Sequence, residues 1–210
     1  MMLYLTGAQQ SVVDSNWQSP QTEVSKSLGG YVSSTQVPNN ALNSLFDLLS
    51  MQTIRQRTTE TLGFALVNKF SVPVKNVTVK IVQEEDALAK FRIAVVPLSD
   101  KFYMEHIDNR YGEPMQADWY DATEELTIVE ELAAGSGLGI WLQRYIPEEL
   151  NEKTDAEMVE DFLAEENNIN AQTVTTGKLK TVENVQIVFN YEESEGGHRN
   201  YSADYNSEYN

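Results

Sequence analysis

The sequence predicts a mainly β protein: an antiparallel two-sheet β-sandwich with an extended N-terminal arm, two short helices and a C-terminal tail. Three observations predict it. Six segments alternate apolar and polar residues with a period of two. Turn-forming Asn, Gly and Asp lie between them, at spacings that suit hairpins folded into two sheets. Both ends of the chain are polar, with single apolar residues spaced along them. The 210 residues suffice for one domain of ordinary size plus appendages.

The arm comes first, over residues 1–38. Its opening "MMLYLTGAQQ" has no basic stretch and few apolar residues, so it does not read as a signal peptide. Ser, Gln and Asn then dominate, as in "SKSLGGYVSSTQVPNN" (25–40). Such a segment buries too little apolar surface to offset about 1–2 kcal/mol of backbone entropy per residue. Trp17, Leu28, Tyr31, Val32 and Val37 recur along it like pegs. They are expected to lie in pockets on a neighbouring molecule, as an extended strap does. Next, "NNALNSLFDLLSM" predicts a short helix over 39–52. Asn39 or Asn40 can cap it, and Leu42, Leu45, Phe46 and Leu49 share one face. A helix this short needs support, from its own domain or from another subunit.

Residues 53–191 carry the β-domain. Leu62, Phe64 and Leu66 alternate in the first strand, and Val77, Val79 and Ile81 in the second. Phe91, Ile93 and Val95 follow, then Leu126 and Ile128, then Leu138, Ile140 and Leu142. Val185, Ile187, Phe189 and Tyr191 complete the set. This pattern predicts sheets with one face buried and one wet.

Two stretches break the alternation. Residues 99–125 form a long connection rich in aromatics, of which Tyr103, Trp119 and Tyr120 are candidate contact residues. Loops of that length tend to bind something, although these side chains could equally cover the open end of the sandwich. Residues 148–166 predict an inserted acidic helix, with Thr154 and Glu157 as a capping box. The tail, 192–210, repeats Tyr201, Tyr205 and Tyr209 at four-residue spacing and is a second candidate contact segment.

Charge and composition narrow the function. The net charge of −17 and pI near 4.4 argue against a direct grip on nucleic acid, which requires clustered cations. No apolar run approaches the ~20 residues that span a bilayer. Without cysteine there is no disulfide, thiolate metal site or cysteine nucleophile. His106 and His198 are too far apart for a histidine metal motif. The acidic clusters at 83–86, 121–125 and 148–157 lack the ligand spacing of a calcium loop. "GSGLG" (135–139) leads into a strand, whereas a phosphate loop leads into a helix. No nucleophile elbow, zinc-protease helix or nucleotide loop is present. The expectation is a protein that is not an enzyme, with no catalytic residues, metal or cofactor.

Two stretches carry a resemblance. "SLGGYVSSTQVPNNALNSLFDLLS" resembles the opening of virion structural proteins from crAss-like tailed bacteriophages of gut Bacteroidales, and "GLGIWLQRYIP" is similar to the penultimate strand of their immunoglobulin-like domains. The two stretches together make up about a sixth of the chain. It implies an immunoglobulin-like antiparallel β-sandwich and a ring-type protein of the neck or tail, assembled into the virion in the host cytoplasm. It implies a homo-oligomeric ring, twelve-fold by analogy with portal-associated rings. The neighbours would be other virion proteins such as the portal, adjacent rings or the tail hub. DNA could then pass an acidic channel without specific binding. The alternatives are a capsid decoration or fibre-attachment protein of the same virion, and a carbohydrate- or receptor-binding module. The acidic insert and the Tyr-rich tail have no counterpart in the resemblance.

Overall fold

The computed structural model describes residues 1–8, 22–37, 45–46, 56–83, 89–147 and 185–193, and the backbone of 198–203. Ten strands account for most of them: β1 (Met2–Ala8), β2 (Gly29–Gln36), β3 (Glu60–Val67), β4 (Val74–Gln83), β5 (Lys90–Pro97), β6 (Tyr103–His106), β7 (Leu126–Leu132), β8 (Gly137–Tyr145), β9 (Val185–Glu193) and β10 (His198–Ala203). They form two sheets, ordered β5-β8-β3-β1-β2-β6 and β10-β9-β4-β7, with every pairing antiparallel.

The six alternating segments are β3, β4, β5, β7, β8 and β9. Their predicted inward residues meet in one core. Leu62, Phe64, Ile93, Ile140 and Leu142 of the larger sheet pack against Val77, Val79, Ile81, Ile187 and Phe189 of the smaller. Buried Asn68 ties the sheets together at one end. Its amide donates to the carbonyls of Val72 and Leu132 at 3.0 Å, and its Oδ1 accepts the Phe70 N–H at 3.0 Å. The smaller sheet keeps a wet outer face, where Glu125 accepts hydrogen bonds from Thr78 (2.5 Å) and Asn190 (2.9 Å).

The larger sheet departs from the expected single wet face, because every residue of β3 is buried. Its two edge strands explain this. β5 and β6 lie at opposite ends of a six-strand order, yet only residues 98–102 separate them in the chain. A flat sheet would set them about 24 Å apart, at ~4.8 Å per strand. Six residue steps reach about 20 Å when fully extended. These steps include a turn, with Phe102 N–H on the Ser99 carbonyl at 2.8 Å and Phe102 at a φ of 55°. The sheet therefore curls until its ends approach, and it encloses a second interior. Met104 of β6, Ala94 of β5 and Trp141 of β8 meet there, beside Tyr4, Val32, Ala65 and Val67.

The expected arm is corrected by this arrangement. Over its described part, residues 1–38 are no strap. β1 sits between β2 and β3 in the middle of the larger sheet, where Leu5 pairs with Phe64 and Met2 with Val67. Leu5 is 2% exposed and belongs to the shared core. Polar side chains hold the return of the chain. Thr6 and Ser27 hydroxyls both donate to the Gly63 carbonyl, and Gly29 N–H donates to Thr6 Oγ1 at 3.0 Å. The Gly63 N–H donates in turn to the Ser27 carbonyl. Within the "SKSLGG" stretch, buried Ser27 is polar because its hydroxyl closes hydrogen bonds inside the protein.

The two predicted helices are not borne out. Among the described residues the only helical turn is a three-residue 3-10 turn, Val24–Lys26. Of 39–52 only Leu45 and Phe46 are described, and they form a bend. The acidic insert 148–166 lies outside the described residues. The tail is corrected in part: His198–Ala203 pairs with β9, with Tyr201 opposite Phe189.

Two predictions follow from this architecture. Removing residues 1–37 takes a central strand from the larger sheet, so the truncated chain is expected to lose its cooperative melt in circular dichroism. A folded, soluble truncation would show that β1 and β2 are dispensable. The second concerns Glu125, whose pKa is lowered by the hydrogen bonds from Thr78 and then Asn190. A carboxylate with a depressed folded pKa contributes stability above its unfolded pKa and loses it as pH falls through the folded value. Thr78→Val is expected to raise the Glu125 titration midpoint, read by NMR of its side-chain carboxyl.

Candidate interaction surface

The long connection between β6 and β7 is held against the larger sheet at many points. Ile107 N–H donates to the Leu28 carbonyl at 2.9 Å, and Thr61 N–H to the Arg110 carbonyl at 2.6 Å. Asn109 organises a turn, accepting Tyr111 N–H on its side chain (2.9 Å) and Gly112 N–H on its carbonyl (3.0 Å). Both Glu105 carboxylate oxygens lie 3.0 Å from the Met115 N–H. Ile93 and Tyr120 then exchange a pair of 2.8 Å backbone hydrogen bonds, and Ile81 N–H reaches the Ala122 carbonyl at 2.7 Å. This last bond carries the connection across to the smaller sheet.

Packing beneath the connection is apolar. Ile107, Ala117 and Trp119 cover Trp141 and Ala94. Beside them Arg92 lies over Trp119 (5.0 Å to the ring centroid) and Tyr145 (5.2 Å). Its Nε donates to Gln143 Oε1, and its Nη2 lies 3.3 Å from Glu113. Gln143, fully buried, donates to both Thr61 Oγ1 and Glu113 Oε1 at 3.0 Å. Arg92, Gln143, Thr61 and Glu113 thus bond one another and fix the connection in place, while the buried Trp141 indole N–H beneath has no hydrogen-bond partner among the described residues.

What the connection leaves outside is a set of large side chains. Tyr111 is 61% exposed, Met115 88%, Tyr120 47% and Tyr103 39%. Tyr103 stacks edge-on against Tyr31 of β2, with centroids 4.9 Å apart. Every exposed formal charge between 103 and 121 is acidic: Asp108, Glu113, Asp118 and Asp121. The one arginine of the stretch, Arg110, turns inward to Glu60.

The predicted contact residues divide sharply. Tyr31, Tyr103 and Tyr120 reach this surface. Trp119 is half-buried beneath it, and adjacent residues of an extended segment point to opposite sides, so Trp119 and Tyr120 cannot form one platform. Leu28, Val32, Val37, Leu45 and Phe46 are corrected: each packs within this chain. Trp17, Leu42, Leu49, Tyr205 and Tyr209 lie outside the described residues, and only the backbone of Tyr201 is described. Met115 escaped the sequence reading because an isolated methionine beside Pro114 has no periodic signal. Tyr111 is signalled only by the Asn109–Gly112 turn that displays it.

Phe46 marks a second cluster, which is structural. Its ring packs edge-on against Phe91 at 5.8 Å, with the Arg144 and Arg110 guanidinium groups 5.0 and 5.9 Å from its centroid. Both arginines converge on buried Glu60. Arg144 Nε donates to Oε2 at 3.0 Å, and Arg110 Nε makes an ion-pair contact with Oε1 at 3.1 Å. Breaking such a group from one side leaves uncompensated buried charge. Glu60→Gln is expected to cost about 3–5 kcal/mol of unfolding free energy, measured by urea denaturation. A loss under ~1 kcal/mol, the range of exposed pairs, would contradict the cluster's buried character. No protein-family model, curated protein or solved structure matches the chain.

Proposed function

We propose that the chain is a non-enzymatic structural subunit of a tailed-phage virion, a ring protein of the neck or tail, that meets its neighbours through the face presented by residues 103–121. One observation carries the contact face: a long connection fastened along its length leaves Tyr111, Met115 and Tyr120 in solvent. Tyrosine and methionine are enriched at protein interfaces, and both stand exposed on this face. Its anchoring also favours binding, because a pre-ordered loop surrenders less conformational freedom on association.

The virion setting rests on the resemblance carried by residues 27–50 and 137–147, and the immunoglobulin-like relationship rests on the second of these. The route of contact differs from the one that resemblance suggests. An arm spanning 1–38 cannot strap a neighbour with Val32 and Val37, which are buried at home, and Leu28 packs against the core of the same chain.

The double substitution Tyr111→Ser/Met115→Ser tests this reading. Both side chains are solvent-facing, so the isolated variant is expected to melt within a degree or two of the parent protein. Particles assembled with the variant are expected to lack the subunit or to be incomplete in negative-stain images. Particles of normal appearance and composition would overturn the proposal.

A further inference from the structure

Resting on that contact face, we infer that its partner is a different protein with an apolar centre and a basic rim, and not a second copy of this chain. The argument is electrostatic. Tyr111, Met115 and Tyr120 are large exposed side chains of one anchored connection, and the exposed charges beside them in the chain are Asp108, Glu113, Asp118 and Asp121. No exposed lysine or arginine lies between 103 and 121. Arg110 of the connection pairs with Glu60, and Arg92 beneath it pairs with Glu113 and Gln143. Glu113 is paired with Arg92, and Asp108, Asp118 and Asp121 carry the remaining negative charge of the rim.

Two such faces brought together would oppose carboxylates to carboxylates. Like charges placed across an interface suppress the wrong pairing, while opposite charges speed encounter and set orientation. The chain as a whole offers little relief, since its net charge is −17. A surface with lysine or arginine around an apolar centre is complementary on both counts. The association is salt-sensitive, because the rim carboxylates are exposed and screening acts within about 8–10 Å.

The test uses the full chain and two synthetic peptides of equal length, one of Leu and Lys and one of Leu and Glu. Binding is read by fluorescence anisotropy of the labelled peptide at 50 and 500 mM salt. The Leu/Lys peptide is expected to bind at low salt and the Leu/Glu peptide not to bind. Asp108→Asn/Asp118→Asn is expected to weaken binding about tenfold, and Tyr111→Ser/Met115→Ser to weaken it at both salt concentrations. A control pair on β7, Glu130→Gln/Glu131→Gln, is expected to leave it within twofold. Equal weakening by the control would reduce the effect to diffuse attraction and overturn the inference. So would binding of the two peptides alike.

Sedimentation velocity of the chain alone separates this inference from the reading beneath it. Self-association at 500 mM salt that the Tyr111/Met115 variant abolishes would make a second copy the occupant. That overturns the basic partner and leaves the contact face standing. Normal particles assembled with the same variant would remove the contact face itself.

Discussion

The close approach of two glycine backbones to the Trp141 ring governs the rest of the architecture. Trp141 is fully buried on the side of β8 away from the smaller sheet. A Cβ on Gly29 would lie 2.7 Å from the ring and 1.8 Å from the Glu105 carbonyl oxygen. A Cβ on Gly63 would lie 2.9 Å from the ring and 2.9 Å from the Gly29 nitrogen. Gly29 also has a φ of +80°, where side chains are disfavoured. A tryptophan buries about 150–250 Å², worth roughly 4–6 kcal/mol at 25 cal/mol per Å². Only a sheet that curls over its own face can recover that energy, and the curl brings β2 and β6 over β8.

The curl changes what a polar residue can do. Within it, Thr6, Ser27, Thr61 and Gln143 are buried at 0% exposure. A buried hydroxyl or amide costs free energy unless it is hydrogen-bonded. Here Thr6 and Ser27 share the Gly63 carbonyl, and Gln143 bridges Thr61 to Glu113. These bonds are directional, so they select one register where apolar packing alone would tolerate several. Register shifts between β1 and β2, with Gly7, Gly29 and Gly30 at positive φ, bend those strands to reach the same partners.

Legibility in the sequence follows the same division. Strands that face one apolar core and alternate strictly could be read: Leu62, Val79, Ile93, Ile140 and Ile187 all lie where period two puts them. β1 and β2 could not. Their second face is lined by Thr6, Ser33 and glycine, so the apolar signal halves and the segment imitates a linker. β6 is four residues long, too short for a period to show. Of the arm's apolar pegs, Val32 and Val37 are buried within this chain; which molecule buries such a residue depends on the curl, a long-range property that no local pattern encodes. The aromatic connection was visible through its composition, whereas its exposed members depend on the Asn109 turn and the Glu105 contact to Met115 N–H.

The same interior that hides Trp119 therefore decides what the surface can offer. Ile107, Ala117 and Trp119 face inward and satisfy the second core, and between them Tyr111 and Met115 are left to solvent. Had the connection been loosely tethered, Tyr111 and Met115 would collapse onto the nearest apolar surface in water. Backbone bonds at Ile107, Arg110 and Tyr120 prevent that collapse by fixing the chain on both sides of each exposed residue. Exposure of large apolar groups is then a stationary feature of the fold. Its opposing cost is the apolar area kept in water, about 25 cal/mol per Å². A protein that retains such area on a rigid support, with carboxylates around it, keeps it available for a surface of opposite charge.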